Sequence, residues 1–180
     1  MWISLSQLKQ ELEIETDQYD DLLTRLAEAV ERRIEAYCRR DFDLQWHNDK
    51  LFVQAGQDRL YLKNYPIVDV AAITVGDSSY DVEDVVIFSD EGVLYAEGGF
   101  SATNTSVEVC YCAGFTPIPS DLLTVLINEV RDAFWRWDEH QAEGIVAERL
   151  GEYSYRKVFL QGGWRPSSLD VLNYYRKVMQ

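Results

Sequence analysis

The sequence predicts an α+β fold: a helical bundle of two long and two short helices with a small antiparallel β-lobe inserted. Three observations predict it. Apolar residues recur at helical spacing as far as Arg40, at period two between Leu51 and Tyr111, and at helical spacing again from Pro119. Turn-forming Gly, Pro, Asn and Asp are concentrated in the middle block. Finally, no Pro/Gly/Ser-rich linker divides the 180 residues, so one domain is expected over 1–180, with helical parts at about 1–45 and 113–180 and a β-lobe at about 50–112.

Each element has a local cause. Ser4 to Leu12 reads as a short capped helix. Asp17 opens a longer helix to Arg40, with Leu22, Leu23, Leu26, Val30, Ile34 and Tyr37 on its apolar side. Short strands are expected at Leu51–Val53, Leu60–Leu62, Val70–Val75, Val85–Phe88, Val93–Tyr95 and Val107–Tyr111, arranged as a meander or small barrel. Gly114 and Pro117 stop the last of these, and Pro119-Ser120-Asp121 starts a helix to about Glu139. Its stripe is Leu122, Leu123, Leu126, Ile127, Val130, Phe134 and Trp137; Val125 and Trp135 fall on the polar side. Leu26, Val30, Leu126 and Val130 are expected where the two long helices pack. Tyr153 to Leu160 is strand-like, and Ser167-Ser168-Leu169-Asp170 reads as a capping start for a last helix to Val178.

Charge narrows the function. The net charge is −14, which disfavours non-specific binding to DNA or to an anionic membrane. Between Asn64 and Val130 there are eleven carboxylates and no Lys or Arg. From Gly144 onward the balance inverts to +3, leaving −17 on the remainder. A basic tail on an acidic body suggests intramolecular or intersubunit pairing. Five Trp and eleven Tyr exceed the needs of one small core, so some are expected at contacts with other chains.

Other classes find little support. Three cysteines and two histidines do not make a metal site, so no metal or cofactor is expected, and free thiols are. The start Met1-Trp2-Ile3-Ser4 lacks a basic, apolar leader, and no segment reaches membrane-span length. The acids Asp81, Glu83 and Asp84 read as a solvated turn, and His140 as a helix-end residue. No phosphate loop, nucleophile elbow or zinc-protease motif is present, so no enzyme is expected. An acidic DNA-mimic protein that inhibits a DNA-binding partner fits the charge. It leaves the β-lobe and the aromatic tail unexplained.

The order of the pieces resembles one family, the head-tail connector (adaptor, or head-completion) proteins of long-tailed bacteriophages. The resemblance rests on Asp20-Asp21-Leu22-Leu23, Tyr37-Cys38-Arg39-Arg40-Asp41-Phe42, Tyr65-Pro66-Ile67-Val68-Asp69-Val70, Tyr111-Cys112-Ala113-Gly114-Phe115, Ile118-Pro119-Ser120-Asp121-Leu122 and Glu148-Arg149-Leu150-Gly151-Glu152-Tyr153-Ser154. It implies a structural virion protein of the neck, assembled in the host cytoplasm. Such a protein forms a homo-oligomeric ring, usually of twelve copies, between the portal protein and a downstream neck or tail protein. The ring completes the head and extends the channel through which DNA passes without specific binding. The resemblance and the charge inversion together nominate Trp135, Arg149, Tyr153, Tyr155, Arg156, Lys157 and Trp164 as contacts to a neighbouring subunit or the portal.

Overall fold

The computed structural model describes residues 1–141, 149–150, 153–154 and 163–177. The chain forms two compact units. Met1–Cys38 and Pro119–Arg176 make a helical unit, and Arg39–Ile118 with Lys177–Gln180 makes a β unit. The fold is α+β: the described residues form four α-helices and antiparallel sheets of four, three and two strands.

The helical unit contains α1 (Leu5–Leu12), α2 (Asp20–Cys38), α3 (Ser120–Gln141) and α4 (Pro166–Tyr175). Ser4 and Gln7 form the capping box that starts α1. Thr16 caps a 3-10 turn over Asp17–Tyr19 that leads into α2, so the cap is Thr16 and not Asp17. Lys9 then ties α1 to this entry by donating to Asp17 (2.6 Å) and Asp20 (2.8 Å). The buried stripe of α2 is Leu23, Ala27, Val30 and Ile34, whereas Leu26 is only half-buried.

α3 packs against α1, α2 and α4. Three neighbours widen its buried face beyond a single stripe. That explains Val125, expected on the polar side but only 3% exposed. α4 begins at Pro166, without a side-chain cap, rather than with a capping motif at Ser167. Proline's fixed φ suits the first helical position, and Ser168 instead turns inward to Glu129. Leu126 is fully buried. Leu126→Ala is expected to cost about 2–5 kcal/mol, read as a lower urea midpoint; an unchanged midpoint would refute this packing.

The β unit contains β1 (Gln45–Val53), β2 (Arg59–Tyr61), β3 (Ile67–Val75), β4 (Ser78–Tyr80), β5 (Val85–Phe88), β6 (Val93–Ala96) and β7 (Thr105–Ala113). The sheet orders are β1-β7-β3-β4 and β2-β6-β5. The strand last in sequence therefore sits between β1 and β3, so the first sheet is not a simple meander. β1 starts six residues before the expected strand and β4 was not expected. Neither shows apolar–polar alternation in sequence: the less exposed face of β1 begins with His47 and Asp49, and two of the three residues of β4 are serines. On β7 the alternation is clean. Val107, Val109, Tyr111 and Ala113 are fully buried, while Ser106, Glu108, Cys110 and Cys112 are half-exposed.

Polar groups lock the β unit. The Tyr111 hydroxyl donates to Asp49 (2.8 Å) and accepts from the Asn64 backbone N–H (3.1 Å). The Asn64 side chain accepts from the Asp41 N–H (2.8 Å) and places its amide nitrogen 2.9 Å from His47 Nδ1. Asn64 Nδ2 is thereby the donor and His47 Nδ1 the acceptor. Nearby, the buried Arg40 guanidinium lies 3.4 Å from the Tyr65 ring centroid and within cation–π reach of Phe42 and Phe115.

Burial raises the Tyr111 phenol well above its ordinary 10.0, and the Asp49 charge adds to the effect. Because the folded value is the higher one, this stabilisation is complete below pH 10 and is lost as pH climbs above it. Tyr111→Phe leaves the buried Asn64 N–H without its acceptor and is expected to cost about 1–3 kcal/mol at neutral pH. The gap between the two proteins should narrow above pH 10 in chemical denaturation. A pH-independent gap would rule out this role for the hydroxyl.

Candidate subunit interface

The aromatic end of α3 is built by helical spacing. Phe134 faces inward and is 3% exposed, while Trp135 and Trp137 are 47% and 36% exposed. Tyr19 closes edge-on over Phe134 (5.2 Å between centroids) and Trp137 (5.9 Å). Trp135 meets Phe134 edge-on at 5.5 Å and is the most exposed ring of the group. A large apolar ring packed edge-on against Phe134 and left half in water is a candidate anchor for another chain.

Trp164 is placed differently. The Arg33 guanidinium lies 3.8 Å from its ring centroid and Tyr37 meets it edge-on at 5.9 Å, so it is half-buried against α2. Arg165 next to it forms a two-pronged ion pair with Asp132 of α3. Glu129, only 3% exposed, accepts from the Ser168 hydroxyl (3.0 Å) and lies 3.5 Å from Arg33. Charge-assisted contacts of this kind hold the approach to α4 in register. Trp164 thus spends much of its surface inside its own chain.

Arg149 and Tyr153 lie on a two-stranded ladder, β8 (Arg149–Leu150) with β9 (Tyr153–Ser154), in which Leu150 pairs with Tyr153 and Arg149 with Ser154. Tyr155, Arg156 and Lys157 lie outside the described residues.

The β unit adds candidates that sequence reading missed. Trp46 and Phe52 project from β1 with 56% and 71% exposure, and Val86, Ile87 and Phe88 of β5 are 54%, 39% and 45% exposed. Period-two spacing from Trp46 to Phe52 was a usable signal, masked by Asn48 and Lys50 between them. Among the described residues no group of three or more His, Cys, Asp or Glu could hold a metal ion, and no helix is long and apolar enough to cross a membrane. Cys38 is buried and Cys110 and Cys112 are half-exposed, all as free thiols.

The family model for head completion protein matches residues 2–143, more than half of the chain. The chain belongs to the head completion protein family. No curated protein matches it. Among solved structures, this head completion family member shares its fold with a chain in the neck of an empty gene transfer agent (GTA) particle computed with C6 symmetry. The TM-score is 0.64 at 16% identity, over 99% of this chain and 91% of that one. A chain in the neck of a native GTA particle computed with C12 symmetry gives 0.60 at 16% identity, over 99% and 93%. One in the virion of a native GTA particle gives 0.59 at 14%, over 99% and 91%. At these identities the likeness is one of fold, and it runs across both units.

Proposed function

We propose that this head completion family member is a non-enzymatic structural protein of a virion neck. Copies assemble into a ring, twelve in the particle, between the portal and the next neck or tail protein. The family match over residues 2–143 carries this reading. The shared fold with neck chains of particles computed with C6 and C12 symmetry supports the ring.

The physics is compatible. A ring contact is heterologous, so one patch meets a different patch on the next copy, and closure follows from the rotation. The acidic stretch from Asn64 to Val130 and the basic stretch after Gly144 are two such unlike patches. Trp135, Arg149, Tyr153, Tyr155, Arg156, Lys157 and Trp164 are proposed to contribute to contacts with the neighbour or the portal. Acidic residues on the channel side repel phosphate and let DNA pass without sticking.

The test is to mix the purified chain with the portal ring of the same particle and image the product by electron microscopy. A second ring of density stacked on the portal is expected. A chain that stays a monomer or dimer, ignores the portal and instead blocks a DNA-binding protein would replace this reading with DNA mimicry.

A further inference from the structure

Among the described residues β5 is an edge strand of its sheet and pairs with β6. Its outward side chains Val86 and Phe88 are 54% and 45% exposed, and Ile87 is 39% exposed. Exposed apolar edges template pairing with another chain, and proteins ordinarily blunt them with lysine, proline or a bulge. β5 carries none of these. Instead carboxylates bracket it, all exposed: Asp81, Glu83 and Asp84 before the strand, Asp90 and Glu91 after it. An apolar edge between two acidic clusters selects an apolar segment with basic residues beside it.

The chain itself contains such a segment. Arg156-Lys157-Val158-Phe159-Leu160 is a basic pair followed by three apolar residues, two of them strong strand formers. It is the part of the basic stretch that lies outside the described residues. We infer that a second copy of this chain occupies the β5 edge, bringing Arg156–Leu160 to Val85–Phe88 so that Arg156 and Lys157 meet the bracketing carboxylates. Main-chain pairing then supplies affinity, and attraction between the basic pair and the acidic edge adds to it. The inference rests on the ring reading and names the two unlike patches of one ring contact.

The experiment uses assembled particles in which Phe88, or in a second variant Val86, is replaced by the photo-cross-linker p-benzoylphenylalanine. After irradiation, the neck protein is separated on a denaturing gel and cross-linked peptides are mapped by mass spectrometry. Bands at twice the chain mass and above are expected, with the cross-link mapped to 155–160. A cross-link confined to one copy, to another segment, or to a different protein overturns the inference and leaves the ring reading standing. So does no cross-link from either variant when wild-type particles show the ring. Wild-type particles that lack the chain in their neck overturn both.

Discussion

Gly114→Ala is expected to prevent the β unit from folding as it does in the parent chain. A Cβ built on Gly114 falls 2.3 Å from the Asp43 carbonyl oxygen and 2.8 Å from the Leu44 Cα. Both obstacles are backbone, and they are fixed in place. Phe115 donates to the Phe42 carbonyl at 2.8 Å and Gly114 to the Pro66 carbonyl at 3.0 Å, so the crossing segments cannot drift apart without losing hydrogen bonds. Gly114 also sits at φ +127°, which L side chains rarely adopt. Backbone strain and overpacking of this kind cost about 1–3 kcal/mol each, and together consume much of a typical domain's stability. Thermal and urea unfolding should show a large loss of midpoint, and hydrogen exchange should place the loss in β1, β3 and β7. A midpoint unchanged from the parent would mean the crossing has room that the geometry denies.

The second large effect concerns assembly. Arg156→Glu combined with Lys157→Glu should leave the circular dichroism spectrum unchanged and abolish ring formation or portal attachment. Facing like charges across a contact costs several kcal/mol, and every subunit of a ring repeats the loss. Particles carrying the double variant should be filled heads without tails. Adding Glu83→Lys and Asp84→Lys to the same chain should restore attraction and return tails to a substantial share of heads. Normal numbers of tailed, infectious particles from the first variant would reduce this basic pair to a solvated loop.

Periodicity made the helices legible, because an amphipathic stripe is repeated several times along each one. Val125 shows where that stops. A second and third neighbour bury a helix face that one stripe does not announce, and neighbours are a property of the packing. The strands split the same way. β7 alternates cleanly because one face meets the core and the other is half-wet, whereas β1 puts His47 and Asp49 on its inward face and β4 is mostly serine, so both read as loop. Gly114 was recognisable as a chain-direction change, but its deeper reason, the passage of Asp43 beneath it, depends on a segment some seventy residues earlier. The candidate contacts were legible from charge and aromatic content as a region. Their division into an exposed ring, Trp135, and an internally seated one, Trp164, depends on Arg33 and Tyr37, which no local pattern links to position 164.

The helical unit is assembled from two stretches far apart in sequence, Met1–Cys38 and Pro119–Arg176, with the strands of the β unit encoded between them. Translation makes this a matter of timing. At about 5–20 residues per second, α2 leaves the ribosome roughly 4–16 s before α3 follows it. Through that interval Leu23, Ala27, Val30 and Ile34 have no α3 to cover them, and by its end Arg39–Ile118 has supplied all seven strands of the β unit. The arrangement favours a β unit that matures first and a helical unit that closes last. Nascent chains stalled before Pro119 are the stage at which this protein has most need of a chaperone.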